Sequence, residues 1–309
     1  MHHINLVLAL LLLSLAGATG QSLPRKKLIA TGWDSPSPAQ FRAHLAEFEQ
    51  WPLDGTTIQP RRVRADGKSV DAKFAFSRER WERGEFTNAI ADLKAARPRT
   101  ATDNFLMLYA NPGDVDWFDD AGWREVVEHW RLLAWVAREG GLKGILFDAE
   151  PYTPPHEQFN YSAQPGRDHR TFAEYSAKAR QRGREVMRAV VAEFPEIRLF
   201  TYRMLCDLLP ATANGGDPAA LLEFHPYGLG PAFLDGWFDA MPPTVVVIEG
   251  DENAYRYNSD AEFDRSFVEL RTRALALVAP ENHAKFRAQY QISHGIYLDA
   301  HVNPPTSPW

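Results

Sequence analysis

The chain has almost no cysteine: Cys206 is the only one in 309 residues, so no intrachain disulfide can form. Set among apolar neighbours in TYRMLCDLL, it reads as a buried, inert thiol and not as a nucleophile. No excess of basic residues is present either. The net charge is −6 with both signs interspersed, which leaves no electrostatic footprint for nucleic acid or an anionic membrane surface. No GxGxxG or P-loop sequence follows an apolar run, which removes the usual nucleotide-binding loops. GxSxG is missing, so a serine elbow has no support. HxH, HExxH and paired-cysteine spacings are missing too. His156, His169, His225, His283, His294 and His301 are scattered, and neither a metal nor a cofactor is expected.

Long apolar runs are scarce as well. Asn5–Leu15 is apolar but too short to span a bilayer comfortably, and Ala16–Gly20 are small. Residues 1–20 therefore read as an export signal, with cleavage near Ala18 or Gly20 and a mature start around Gln21. A secreted or periplasmic protein with no membrane attachment after cleavage is expected.

Aromatic residues are what the chain has in plenty, at 12% with nine Trp. Most of these rings belong in a core, and some are free to serve as platforms for sugars. The remaining length, residues 21–309, suits a single domain with a substantial core. Along it a short apolar strand, a polar or aromatic loop and a helical stretch recur. Strands are expected at 27–34, 55–59, 104–110, 145–150, 197–202, 245–249 and 289–297. Amphipathic helices are expected at 37–50, 121–140, 172–194 and 261–278, the second closed by Gly140-Gly141. This alternation implies a parallel sheet with helical crossovers, and recurring polar residues at strand ends fit a (β/α)8 TIM-like barrel. Seven strands are one short of closure: residues 221–240 hide one, the last βα unit is lacking, or the barrel is unusual.

The segment Lys143–Tyr152, KGILFDAEPY, concentrates the chemistry. Its apolar run reads as a buried parallel strand ending in Asp148 and Glu150, which alternation places on one side, roughly 6–7 Å apart. Barrel enzymes keep their active sites at this end of their strands. A neighbouring carboxylate such as Asp148 can raise the pKa of Glu150, as a proton donor requires. Glu249, ending the apolar strand in TVVVIEGDENAY, is the second catalytic candidate and is expected to face the same mouth. Asp251 and Glu252 read as loop acids. Two carboxylates across a scissile bond are what a glycosidase needs, with about 5 Å between them for retention and roughly 6.5–9.5 Å for inversion.

GILFDAEPY resembles the fourth-strand signature of family 18 glycoside hydrolases, in which an apolar strand carries Asp-x-Glu. The resemblance implies Glu150 as acid, Asp148 as its assistant, and Tyr202 as the residue that steadies the substrate's N-acetyl group. The family's further Asp, two residues before Asp148, is Leu146 here. About ten residues carry the likeness, so it implies a barrel glycoside hydrolase acting on an oligo- or polysaccharide and leaves the sugar open. Candidate substrate contacts at strand ends and in the loops after them are Trp33, Asp34, Asn111, Tyr152, Tyr202, His225, Tyr227, Tyr255 and His294. Trp117, Trp237 and Tyr257 are further ring candidates, whereas Trp123, Trp130 and Trp135 read as packing residues. Two alternatives remain open: a non-catalytic carbohydrate-binding barrel, and a metal-dependent hydrolase or lyase using Asp148, Glu150, Glu249 and His225.

Overall fold

The computed structural model describes residues 26–215 and 218–298. The expected export segment and the tail from residue 299 lie outside the described residues.

In chain order, β1 (Ile29–Ala30) leads to α1 (Pro38–Phe48), which starts at a capping box made by Ser37 and Gln40. After β2 (Gly55–Ile58) come β3 (Arg61–Val63), β4 (Ser69–Asp71), β5 (Phe74–Phe76) and α2 (Thr87–Ala96). Then follow β6 (Phe105–Pro112), α3 (Asp120–Glu139), β7 (Gly144–Asp148) and α4 (Phe172–Glu193). β8 (Arg198–Thr201), a one-turn helix (Ala219–Leu222), α5 (Gly230–Ala240), β9 (Val246–Glu249), α6 (Asp260–Thr272), α7 (His283–Gln289) and β10 (Tyr290–Ile292) follow, with short 3-10 turns between them. All seven expected strands form. Residues 221–240 hide no eighth one; their apolar stretch GPAFLDGWFDA is helix α5.

The main sheet runs β1-β2-β6-β7-β8-β9-β10 with every pairing parallel, and β5 adds to the far end of β6. Along this path the strands keep their sequence order, as in a (β/α)-barrel, while β3 and β4 pair as a separate hairpin. Two faces can be told apart by what they pack. Ile29, Phe105, Leu146, Phe200, Tyr202 and Ile248 form one small inner cluster. Because it joins β1 to β9 across the sheet, the sheet must curl on itself. Among the described residues β1 and β10 are not paired, so the curl is open there.

The alternate residues, among them Leu108, Ile145, Phe147, Leu199 and Val247, pack outward into the large helical core. Phe147 stands among Phe76, Trp130, Phe159, Phe233 and Trp237, with ring centroids 5.1–6.4 Å away. Trp117 and Trp237 are fully buried here, so neither offers a face to a ligand, contrary to expectation. Helices α4 and α5 touch backbone to backbone at Gly183 and Gly236. A Cβ on Gly183 would stand 2.1 Å from the Phe233 carbonyl oxygen.

Candidate active site

The carboxyl ends of the strands make a mouth over the inner cluster. Tyr109 and Asp148 are register partners on β6 and β7, and Asp148 shares the inward parity of Leu146. Its carboxyl is only 1% exposed. Oδ1 accepts the backbone N–H of Glu150 at 2.9 Å, and Oδ2 is 2.9 Å from the Tyr152 hydroxyl. That hydroxyl also contacts Glu150 Oε2 at very short range. Asn111, fully buried, ties the turn together: Nδ2 donates to the Glu150 carbonyl at 2.7 Å and Oδ1 accepts from Tyr152 N at 2.8 Å.

Counting hydrogens constrains the protonation state. Tyr152 has one hydroxyl proton and two carboxyl neighbours, so it can donate to only one of them. The other contact needs a second proton, or two lone pairs would face each other. Burial pushes the Asp148 carboxyl up to about 8, aided by the Glu150 charge and opposed by the bond from Glu150 N. Burial thus favours the protonated form of Asp148. The Tyr152 hydroxyl is within bonding distance of both carboxyls; with Asp148 protonated, Oδ2–H can donate to Tyr152 Oη and Tyr152 Oη–H to Glu150 Oε2.

Arg203, just past β8, lies across the mouth. Its Nε is 3.2 Å from Glu150 Oε1 and 2.6 Å from Glu252 Oε2, and Nη1 is 2.6 Å from Asp207 Oδ2. Glu252 also accepts the Tyr255 hydroxyl at 2.7 Å. Burial raises the Glu252 carboxyl, and Arg203 counters that shift. The guanidinium stands 6.0 Å from the centre of the Tyr227 ring. On the opposite rim Trp33, 78% exposed, meets the Tyr152 ring at 5.8 Å, and Tyr152 meets Tyr109 at 5.6 Å. Tyr202 points inward beneath them.

Glu249 is a correction. It shares the outward parity of Val247, so it lies behind the sheet and not in the mouth. Fully buried, it accepts Met204 N at 2.9 Å, Leu205 N at 2.8 Å and the Tyr290 hydroxyl. It ties the chain leaving β8 to β10. Burial pushes its carboxyl up, and these three donors work the other way.

Other expected contacts are dispersed. Asp34 is exposed and lines a hollow against Gln40, Phe41 and His44 of α1. His225 is half-buried, with Nδ1 accepting Tyr227 N at 3.1 Å. His294 Nδ1 is 2.8 Å from Asp251 Oδ2, which also accepts the Ser266 hydroxyl of α6 at 2.6 Å. The mouth thus gathers Trp33, Asp148, Glu150, Tyr152, Tyr202, Tyr227 and Tyr255, with Asn111 holding its turn. Tyr109, Arg203, Asp207 and Glu252 join them unforeseen. Among the described residues no group of three or more His, Cys, Asp or Glu is placed to hold a metal ion. No described helix is long and apolar enough to cross a membrane.

No protein-family model and no curated protein matches the chain. The chain is similar to a crystal structure of a sugar phosphate isomerase/epimerase from Parabacteroides distasonis. The identity is 8% and the TM-score 0.39, over 91% of this chain and 99% of that one. A likeness of that size carries no activity across, since one fold hosts many chemistries. The expected glycoside hydrolase is nevertheless withdrawn. The second carboxylate assigned to the scissile bond, Glu249, is sealed behind the sheet. The metal-dependent alternative loses Glu249 for the same reason.

Proposed function

We propose that the protein is an acid–base enzyme that moves a proton on a small polyhydroxylated substrate held at the mouth. The observation that carries this reading is the chain Asp148–Tyr152–Glu150. It joins a buried carboxyl, whose pKa burial raises, to a second carboxyl at the rim through a single hydroxyl. Passing one proton along it makes Glu150 the acid: Tyr152 gives its proton to Glu150 and recovers one from Asp148. The reverse passage makes Glu150 the base. No proton is gained or lost overall, and Asp148, which burial pushes up to about 8, is the group that supplies the proton to the chain. Asn111 fixes the turn that sets these distances, which makes it a positioning residue. The contiguous rings of Trp33, Tyr152 and Tyr109 suit the apolar face of a sugar-like ring.

The test is deuterium wash-in. Residues 21–309 are incubated with a panel of aldoses and ketoses in D2O, and exchange at carbon is followed by NMR. Wild type is expected to exchange at least one of them, with Asp148→Asn and Tyr152→Phe far slower. No exchange by the folded wild type, or equal exchange by Asp148→Asn, would overturn the reading. Separately, we propose that residues 1–20 direct export, which the mass of the protein recovered outside the cytoplasm checks directly.

A further inference from the structure

Glu249 does more than fasten two strands. By accepting Met204 N and Leu205 N it pins the chain immediately after Arg203, whose guanidinium lies across the mouth. From there Nε stands 3.2 Å from Glu150 Oε1, and Nε and Nη2 both lie 2.6 Å from Glu252 Oε2. Nη1 is 2.6 Å from Asp207 Oδ2, four residues further on. Three carboxylates therefore share one cation. Among the described residues no other Lys, Arg or His comes within 4.0 Å of the Glu150 carboxyl. Lys73, also at the rim, is bonded to Gln59 Oε1 at 3.3 Å and rests on the Tyr109 ring.

Glu150 thus has two different sides. Oε2 meets the Tyr152 hydroxyl and, through it, Asp148, whereas Oε1 meets Arg203. The proton chain runs in either direction only while Asp148 and Glu150 carry one proton between them. With two, no carboxylate is left to act as base. With none, Tyr152 faces two carboxylates and the chain has no donor. Burial favours a proton on Asp148, the inner end. The positive charge of Arg203 beside the outer end favours a carboxylate there. The tyrosines facing Glu150 do not compete. Burial first, then nearby carboxylates, push Tyr109 on β6, Tyr152 after β7 and Tyr227 ahead of α5 upward, so all three stay neutral. Glu252, after β9, is a further acid that the same guanidinium holds.

We propose that Arg203 is the positioning residue that keeps Glu150 ionised while Asp148 is protonated, so that the pair holds a single proton. This deepens, and rests on, the reading of Asp148–Tyr152–Glu150 as the proton chain. The guanidinium acts through Glu150 and need not touch a substrate.

The experiment reads the ligand-free protein with ¹³C-labelled glutamate, the Glu150 carboxyl resonance being assigned by its loss in Glu150→Gln. At pH 5.5 wild type and Arg203→Lys are expected to show a carboxylate at this position. Arg203→Gln leaves Glu150, Asp207 and Glu252 without their shared cation and should show a protonated Glu150 instead. In deuterium wash-in Arg203→Gln should be roughly tenfold slower than wild type at pH 5.5. It should recover part of that difference by pH 7.5, as Glu150 loses the extra proton. A packing role alone would lower the rate by one factor at both pH values. Where Arg203→Gln does not fold, the double variant Arg203→Gln/Glu252→Gln, which removes one charge of each sign, should show the same protonated Glu150. A carboxylate at Glu150 in either folded Gln variant, or an Arg203→Lys protein that behaves like Arg203→Gln, would overturn the proposal. The carboxyl resonance needs no substrate, so this claim and the wash-in test of the proposed function fail separately.

Discussion

Asp148 and Glu249 end parallel strands two places apart in one sheet, both are almost wholly buried, and burial pushes both carboxyls up. They do different things because of parity. Asp148 follows Leu146 inward, beneath a rim of tyrosines and beside a hydroxyl that can carry its proton away. Glu249 follows Val247 outward, where two backbone N–H groups and Tyr290 use up its oxygens. A carboxylate held by fixed donors is a fastener. One that shares a single hydroxyl with a second carboxylate is a proton store. Burial and strand position do not separate the two cases; the identity of the partners does.

The comparison breaks most visibly if each acid is removed. Asp148→Asn should slow solvent exchange by about 10²–10⁴-fold with the fold intact, as expected for loss of a general acid. Glu249→Ala leaves two buried N–H groups and a buried hydroxyl unpaired. It should cost about 3–5 kcal/mol of stability in chemical denaturation. A Glu249→Ala protein as stable as wild type would mean that the contacts behind the sheet are not what holds β8 to β10.

pH sharpens the contrast. Between about 4 and 8 the folded chain keeps the Asp148 proton that the unfolded chain has released, so rising pH favours unfolding across that window. The effect is at most about 1.4 kcal/mol per pH unit and stops above pH 8, where both states are ionised. Asp148→Asn lacks this term. Its stability relative to wild type should climb from pH 4 to 8 and then level off, which thermal melts at several pH values will read. Tyr152→Phe interrupts the chain and leaves both acids. Losing a hydrogen bond to a charged group is worth about 1.5–3 kcal/mol, so exchange should fall ~10–100-fold. Trp33→Ala touches the rim alone. Stability should stay within about 0.5 kcal/mol, with ligand affinity reduced a few fold.

How much of this could be read from the chain follows the same physics. Runs such as FLMLYA and GILFD announce their strands because a parallel strand is buried on both faces. That double burial also hides the direction of Glu249. In TVVVIE no polar residue alternates with an apolar one, so nothing local says which side the Glu takes. Only the pairing of Val247 with Leu199 and of Glu249 with Thr201 settles it. FDAEPY was legible because Asp148, Glu150 and Tyr152 lie within five residues and make their contacts locally. Arg203 and Glu252 were not, since each is unremarkable until β7, β8 and β9 come together. The β3–β4 hairpin and β5 are three residues each with charged neighbours, too short to show a period. Trp117 and Trp237 were offered as platforms on their positions in loops, but tertiary packing buries both.

The protonation state of Asp148 at neutral pH is the central claim, and it can be seen directly. With ¹³C-labelled aspartate, the Asp148 carboxyl resonance, assigned by its loss in Asp148→Asn, is followed from pH 4 to 10. A protonated shift that persists at pH 7 and titrates near 8 is the result this account predicts. A resonance already that of a carboxylate at pH 5 would contradict it, and the proton chain to Glu150 would have no donor.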